Sequence, residues 1–138
     1  MGYAHNNDVI HCDIKAANVM IDQGGHVYLG DFGIARHADS DVTAMPGAGT
    51  PAYMAPEQIL GNTVTRETDI YALGATLHHL LTASDPRDRF VSFPELDFEI
   101  LRSFSSFPPL AEVRPDVSPA LAALVARCLD ADPRHRPT

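Results

Sequence analysis

Lysine, tryptophan and cysteine are all scarce in this chain of 138 residues. There is no tryptophan, and the single lysine, Lys15, stands beside nine arginines and 18 acidic residues, which gives a net charge of −8. An acidic surface repels phosphate backbones and anionic lipid headgroups, so we expect no nucleic-acid partner and no membrane-surface partner. The two cysteines, Cys12 and Cys128, form no metal-binding spacing, and we expect both thiols to be free.

Long apolar runs are also missing. No stretch approaches the roughly 20 apolar residues that a membrane-spanning helix needs. Residues 1–5 lack the charged-then-apolar pattern of a secretory signal. We therefore expect a cytoplasmic protein with no membrane segment in this chain. With 45% hydrophobic and 20% charged residues, the composition is that of an ordered domain rather than of a disordered chain.

The apolar pattern of the first half predicts strands and one long loop. Two short apolar runs, Val19–Ile21 and Val27–Leu29, flank a Gly-Gly turn and predict a β-hairpin. Residues 36–56 are rich in Gly, Pro, Thr, Ser and Asp without periodicity, which predicts an ordered loop. Loops of that length inside compact domains are usually functional.

The second half predicts helices, so the expected fold class is α+β and mainly α. Thr68 is the predicted N-cap of a first helix. Its predicted apolar face comprises Ile70, Leu73, Leu77, Leu80 and Leu81. Ser118 is the predicted N-cap of a second helix, with Pro119 at its first position. Its apolar stripe comprises Leu121, Leu124, Val125, Cys128 and Leu129. A short helix is also predicted near Glu95–Leu101.

Four polar side chains lie at the two ends of the predicted hairpin. Asp13, Lys15 and Asn18 precede it, and Asp31 follows it. Because a hairpin brings its ends together, we expect these side chains to converge. Mg²⁺ takes carboxylate and other oxygen ligands together with substrate phosphates, which suits Asp31 and Asn18. Lys15 supplies a point charge suited to a phosphoryl group. The set favours phosphoryl transfer, in which positioning and charge neutralisation supply most of the catalysis.

These residues resemble the catalytic half of a eukaryotic-type protein kinase. The family's H-R-D-x-x-x-x-N loop is matched by His11–Asn18, its D-F-G motif by Asp31–Gly33 and its A-P-E motif by Ala55–Glu57. By the same resemblance, Asp69 braces the backbone of the catalytic loop from beneath. Arg136 resembles the arginine that pairs with the A-P-E glutamate.

The resemblance implies a role for each site residue. Asp13 would orient the acceptor hydroxyl and take its proton, Lys15 would steady the transferred phosphoryl group, and Thr50 would hydrogen-bond both. Asn18 and Asp31 would hold Mg²⁺. The implied cofactors are ATP and Mg²⁺, and the implied substrate is a protein with a Ser or Thr acceptor, because Lys15 and Thr50 are typical of serine/threonine kinases. Segments 68–77 and 132–138 are similar to bacterial members of the family.

The resemblance also covers the nucleotide and contains one departure. Met20 would form part of the floor under adenine, beside Lys15, Asn18 and Asp31. His11 and Phe32 would stack in the column that links the two lobes. Cys12 stands where most of the family has an arginine that pairs with a phosphate on the activation loop. We therefore expect activity that does not depend on this pairing.

The N-terminal half of the kinase pattern is absent from the sequence. The family needs a Gly-rich loop and a strand lysine, and the only lysine here is Lys15. We therefore expect residues 1–138 to be a partial kinase domain, truncated at both ends. It would comprise the catalytic loop, the activation segment and the C-lobe helices, with the missing N-terminal lobe upstream. We expect the isolated chain to be inactive, with Leu73 and Leu77 partly uncovered.

Two other interpretations of the same residues stay open. The chain could be a truncated, pseudokinase-like remnant that binds protein partners or has a structural role without turnover. It could also be a metal-dependent phosphohydrolase that uses the same carboxylates but has no need of the Thr50–Glu57 segment. Incubation with Mg-ATP and a protein acceptor separates the three.

Overall fold

The computed structural model describes residues 2–33, 35–37, 50–84 and 107–138. Within them lie helix α1 (Gly2–Asn6), strands β1 (Val9–Ile10), β2 (Val19–Ile21), β3 (Val27–Leu29) and β4 (Arg36–His37), and helices α2 (Pro56–Ile59), α3 (Arg66–Thr82), α4 (Leu110–Val113) and α5 (Pro119–Cys128). Short 3₁₀ turns lie at Ala16–Asn18, Pro51–Tyr53 and Pro133–His135. This mixture agrees with the expected α+β class. The predicted helix near Glu95–Leu101 and most of the predicted loop over 36–56 lie outside the described residues.

The predicted hairpin is confirmed. Strands β2 and β3 pair antiparallel, with Val19 opposite Leu29. In the turn, Asp22 Oδ1 accepts hydrogen bonds from the backbone N–H groups of Gly24 and His26 at 2.8 and 2.9 Å. These bonds, that of His26 above all, hold the pKa of the Asp22 carboxyl below its ordinary value. The turn is therefore fixed locally, by a side chain that satisfies the backbone.

Strands β1 and β4, which lie on either side of the hairpin in the sequence, form a second two-stranded sheet. Strands β1 and β4 pair antiparallel, with Val9 opposite His37 and Ile10 opposite Arg36. Strand β1 leads into the catalytic loop, and β4 follows the Asp31–Gly33 segment. The sheet therefore ties together the chain before and after the candidate site.

Helix α3 is the longest helix described, and it begins earlier than predicted. Its N-cap is Thr65, and Thr68 lies at the third helical position, where its Oγ1 accepts a hydrogen bond from the Thr65 N–H at 2.9 Å. The prediction of Thr68 as the N-cap was wrong. Both threonines suit a helix start, but Thr68 also donates to the buried Glu57 carboxylate at 2.9 Å, which keeps its side chain inside the protein.

Small residues form much of the packed face of α3. Ala72, Gly74 and Ala75 are buried, whereas Leu80 is 57% exposed, so the prediction of Leu80 in the buried face was wrong. A Cβ atom on Gly74 would lie only 2.6 Å from the Cβ of Cys128 at the end of α5. The absence of a side chain at Gly74 therefore lets the two helices touch, and this close approach moves the contact away from Leu80.

Helix α5 begins as predicted. Ser118 Oγ accepts a hydrogen bond from the Leu121 N–H at 3.3 Å, and a proline occupies the first turn. Leu124 is 44% exposed, so its assignment to the apolar stripe was wrong. The buried face is narrower than predicted and comprises Ala122, Val125 and Cys128. Cys12 and Cys128 are both buried, and burial raises the pKa of the Cys128 thiol.

Helix α4 was not predicted, because prolines surround its short sequence. Its Leu110 is buried and packs with Ala122 and Val125 of α5. Leu73 and Leu77 of α3 are half-buried, in line with the expectation that they would be partly uncovered. In the described ranges no helix is both long enough and apolar enough to cross a membrane.

Candidate active site

One buried carboxylate holds the catalytic loop from beneath. Asp69, in the first turn of α3, accepts hydrogen bonds from the backbone N–H of His11 through Oδ2 at 2.8 Å and of Cys12 through Oδ1 at 2.9 Å. The Asp69 side chain is completely buried. Hydrogen bonds to an ionised acceptor are shorter and stronger than neutral ones. The bracing contact predicted for Asp69 is therefore confirmed.

Helix α1 adds a third partner that the sequence analysis missed. His5 Nε2 lies 2.8 Å from Asp69 Oδ2, and the His5 side chain is largely buried. The only sequence signal for this contact was the place of His5 in the turn of helix before the catalytic loop. The carboxylate of Asp69 thus links α1, α3 and the loop.

Asp13, Lys15 and Thr50 form one hydrogen-bonded cluster. Lys15 Nζ donates to Asp13 Oδ2 at 2.7 Å and to Thr50 Oγ1 at 2.9 Å. Thr50 donates to Asp13 Oδ1 through its backbone N–H at 3.0 Å and through its hydroxyl at 3.1 Å. The contacts predicted for Thr50 are confirmed. Both oxygens of the Asp13 carboxylate are therefore oriented, one by a cation and one by the segment that begins at Thr50.

The hairpin brings Asn18 and Asp31 to adjacent positions of the backbone. The N–H of Gly30 donates to the carbonyl of Asn18 at 2.9 Å, and Asp31 follows Gly30 directly. Asn18 Nδ2 donates to the carbonyl of Asp13 at 2.9 Å, which turns the amide oxygen of Asn18 away from that carbonyl. Asp31 is exposed, and its Oδ1 lies 3.3 Å from the Gly33 N–H.

Met20 and two ring side chains lie around the same hairpin. Met20 is exposed on β2, and a Cβ atom on Gly30 would lie 2.7 Å from its Cε, so the thioether lies over Gly30. The rings of His11 and Phe32 are 4.5 Å apart between centroids, which confirms their predicted contact. His11 Nε2 lies 3.0 Å from the Gly30 carbonyl, and the Asp13 N–H points at His11 Nδ1 at 3.3 Å. In this arrangement Nδ1 is placed to accept from the Asp13 N–H, and Nε2 is placed to donate to the Gly30 carbonyl.

The A-P-E glutamate forms the predicted pair with Arg136. Arg136 Nη1 and Nη2 donate to Glu57 Oε1 and Oε2 at 2.6 and 2.9 Å, and both side chains are buried. Arg136 also donates to the carbonyls of Glu67 and Asp130 at 2.9 and 2.8 Å. Its guanidinium lies 5.0 Å from the centre of the Tyr71 ring. The pair therefore anchors α2 to the C-terminal end of the described chain.

Two further contacts beneath the site were not foreseen. The hydroxyl of Tyr53 lies 2.6 Å from His79 Nδ1, and Tyr53 is buried against Ala75. The side chain of Gln58, which follows Glu57, donates a hydrogen bond to the carbonyl of Cys12 in the catalytic loop. Neither residue carries a sequence signal of its own, because each partner lies far away along the chain. Within the described ranges, no group of three or more His, Cys, Asp or Glu side chains is placed to hold a metal.

Comparison with known proteins identifies the family of this chain. The model of the protein kinase domain matches residues 1–138. The chain belongs to the protein kinase family. This kinase chain is 39% identical over 138 residues to serine/threonine-protein kinase KIC1 of Saccharomyces cerevisiae, a match that covers 96% of the chain and 12% of the relative.

Bacterial relatives are similar to nearly the same extent. Serine/threonine-protein kinase pkn3 of Myxococcus xanthus is 37% identical over 146 residues, covering 97% of this chain and 26% of the relative. A probable serine/threonine-protein kinase of Streptomyces coelicolor is 36% identical over 140 residues, covering 97% of this chain and 20% of the relative. The predicted resemblance to serine/threonine kinases, bacterial ones included, is confirmed. The chain spans about a quarter or less of the length of these relatives. Protein kinases generally use ATP and Mg²⁺ and act on proteins.

Proposed function

We propose that residues 1–138 form the C-terminal lobe of a serine/threonine protein kinase domain. In this proposal the site transfers the γ-phosphoryl group of ATP to a Ser or Thr hydroxyl of a protein. The observation that carries the proposal is the Asp13 carboxylate, which is hydrogen-bonded on one oxygen by Lys15 and on the other by Thr50. A phosphohydrolase would not need the contact with Thr50, so this geometry favours transfer to a docked hydroxyl.

The cluster suggests how the acceptor would be handled. Asp13 would accept a hydrogen bond from the substrate hydroxyl and take its proton as the phosphoryl group transfers. Because Thr50 and Lys15 already orient both carboxylate oxygens, little reorganisation would be needed when the hydroxyl arrives. Lys15 Nζ, which lies between Asp13 and Thr50, would balance the charge of the transferring group.

Asn18 and Asp31 fit the oxygen chemistry of Mg²⁺. The amide nitrogen of Asn18 is committed to the Asp13 carbonyl, so the amide oxygen is the atom that would bind the cation. Asp31 offers an exposed carboxylate next to Gly30, which is bonded to Asn18. Two protein oxygens with nucleotide phosphates match the usual preference of Mg²⁺. When bound, Mg²⁺ would neutralise charge on the phosphates.

The remaining parts of the proposal concern the nucleotide and the N-terminal lobe. Met20 presents an exposed apolar side chain on β2, which suits a flat adenine base. Lys15 is the only lysine of the sequence, so the strand lysine of the family would come from a separate segment, as would the Gly-rich loop. We propose that an N-terminal lobe supplies both and covers Met20.

Joining an N-terminal kinase lobe to residues 1–138 tests this function. The fusion is incubated with Mg-ATP labelled at the γ-phosphate and a generic protein acceptor, and phosphoserine and phosphothreonine are measured. We expect transfer by the fusion and none by the chain alone. Asp13→Asn is expected to lower the rate by about 10²–10⁴-fold, the usual contribution of a positioned base. The control is Asp116→Asn, which changes an exposed carboxylate without altering transfer.

Other outcomes would replace the proposal. Release of inorganic phosphate without labelled protein would favour the phosphohydrolase. Binding of nucleotide or of a protein partner without turnover in the fusion would favour the pseudokinase-like remnant. Transfer that survives Asp13→Asn would remove Asp13 from the mechanism.

A further inference from the structure

Gln58 lies between the start of α2 and the catalytic loop, and the proposed function gives it no role. It occupies the third position of α2 and is 7% exposed. Its Oε1 accepts a hydrogen bond from the Ala55 N–H at 3.0 Å, and its Nε2 donates to the Cys12 carbonyl at 3.1 Å. A backbone N–H can meet only the amide oxygen and a carbonyl only the amide nitrogen, so the two contacts fix the orientation of the Gln58 amide. One side chain therefore joins the start of α2 to the catalytic loop.

The backbone that Gln58 holds is in an uncommon conformation. Cys12 has a φ of 66°, in the left-handed region that residues with a side chain rarely adopt. Such a conformation persists where its surroundings determine it. The N–H of Cys12 donates to Asp69, and its carbonyl accepts from Gln58. Both polar backbone groups of Cys12 are thus bonded to side chains that are remote in sequence.

The Cys12 carbonyl belongs to the peptide plane that carries the N–H of Asp13. Rotation of this plane would move the Asp13 N–H away from His11 Nδ1, which it meets at 3.3 Å. It would also swing the Asp13 side chain relative to Thr50. Asp69 fixes the plane before Cys12, and Gln58 fixes the plane after it. The second plane is the one on which the direction of the Asp13 carboxylate depends.

We infer that Gln58 is a positioning residue, which sets the direction of the Asp13 carboxylate through the Cys12 carbonyl. The catalytic consequence of this inference rests on the proposed function, but its geometric part does not. Gln58 also links the segment that would receive the protein substrate to the loop that would act on it. The start of α2 and the carboxylate would therefore move together.

Gln58→Glu isolates the contact with Cys12. Glutamate keeps an oxygen for the Ala55 N–H, but its carboxylate cannot donate to the Cys12 carbonyl. Asn62→Asp serves as the matched control, because it places the same new charge on an exposed side chain close by. Gln58→Leu removes both hydrogen bonds at similar volume and shows whether the added charge matters.

Amide hydrogen exchange in the 138-residue chain gives the first readout. In Gln58→Glu and Gln58→Leu we expect the amides of Asp13 and Thr50 to exchange about fivefold to tenfold faster, as the loss of one hydrogen bond allows. The Val125 amide in α5 should be unaffected, and Asn62→Asp should match the parent chain. Unchanged exchange at Asp13 and Thr50 would overturn the inference. So would an equal acceleration at Val125, because the effect would then be general destabilisation.

Kinetics in the fusion with an N-terminal lobe give the second readout. We expect Gln58→Glu to lower kcat about tenfold and to leave the KM for ATP unchanged, because the nucleotide residues do not contact Gln58. A raised KM with unchanged kcat would overturn the inference. If the fusion with Gln58 intact shows no transfer, the proposed function fails, and the exchange measurement still decides whether Gln58 positions Asp13.

Discussion

The catalytic loop and the hairpin that follows it are neighbours in sequence, yet they are stabilised differently. The loop is held by long-range polar contacts from buried side chains: Asp69 bonds its N–H groups and Gln58 one of its carbonyls. The hairpin is held by its own ladder and by Asp22 in its turn. Four of its six strand side chains are exposed, and Ile21 and Val27 are 69% and 67% exposed.

This difference indicates which part of the site is complete in the described residues and which part a partner would cover. Every buried side-chain nitrogen or oxygen among the described residues has a hydrogen-bond partner. The catalytic loop and the buried polar side chains beneath it, here called the frame, therefore need no hydrogen bond from a partner. The exposed large side chains of the hairpin form two cross-strand pairs on opposite faces, Met20 with Tyr28 and Ile21 with Val27. The exposed pair that contains Met20, the residue assigned to the candidate nucleotide site, supports the proposal that an N-terminal lobe covers this face.

Arg136→Met should have the largest effect, because it breaks the buried part of the frame. It leaves the Glu57 carboxylate buried without its cation, which typically costs about 3–5 kcal/mol. The unfolding free energy in urea measures the loss. Arg134→Met is the control: its pair with Asp132 is exposed and should be worth about 0–1 kcal/mol. Equal losses for the two variants would contradict the distinction between the frame and the surface.

Asp69→Asn should have the next largest effect. One oxygen remains as an acceptor, but the amide nitrogen faces an N–H donor, so a charged hydrogen bond worth about 1.5–3 kcal/mol is lost. Amide exchange at His11 and Cys12, read with the urea midpoint, locates the loss. Asp8→Asn, which breaks an exposed pair with Arg66, is the matched control. Slow exchange at both amides in Asp69→Asn would contradict the bracing role.

Polar substitution of the hairpin should change stability little. Ile21→Thr with Val27→Thr is expected to shift the unfolding free energy by less than about 0.5 kcal/mol, since both side chains are already exposed. Binding of an apolar dye should fall. Val125→Thr, at a position 1% exposed, is the control and should destabilise clearly. A large loss from the hairpin pair would mean that this face is packed in solution.

The smallest effect is expected from the exposed pair near α5. The Arg114 guanidinium hydrogen-bonds Asp116 and lowers the pKa of that carboxyl from 3.8 to about 2. A carboxyl with a lowered pKa stabilises the folded state at every pH above its ordinary pKa. That contribution is lost as the pH falls from 3.8 towards 2. The melting temperatures of the parent chain and of Asp116→Asn should therefore differ slightly at pH 6 and converge as the pH approaches the lowered pKa of about 2. A difference that persists below it would contradict the assignment.

Local signals were predicted well from the sequence, and so were contacts implied by family motifs. The hairpin turn needs only Asp22 and its glycines, and the cap of α5 needs only Ser118 and a proline. The contacts of Asp69 and Thr50 followed from motif positions. The hairpin turn and the cap could be predicted because each depends on residues that are close in sequence, and the contacts of Asp69 and Thr50 could be predicted because the family resemblance supplies their partners.

Features that depend on tertiary packing were missed. The sequence gives no reason to prefer Thr65 over Thr68 as a cap until the Glu57 carboxylate is placed beside Thr68. Leu80 fits the helical period, but the face that packs is decided by the close approach at Gly74. Gln58 looks like an ordinary helix residue because its partner, Cys12, lies in a distant part of the chain.

The contact at Gly74 also bears on the order in which the protein takes shape. Glycine within a helix costs about 1 kcal/mol relative to alanine, and isolated helices of modest length are marginal in water. A synthetic peptide of residues 66–82 should therefore be mostly coil. On the ribosome, α3 is synthesised before α5. We therefore expect the segment that carries Asp69 to become stably helical only after α5 has been translated.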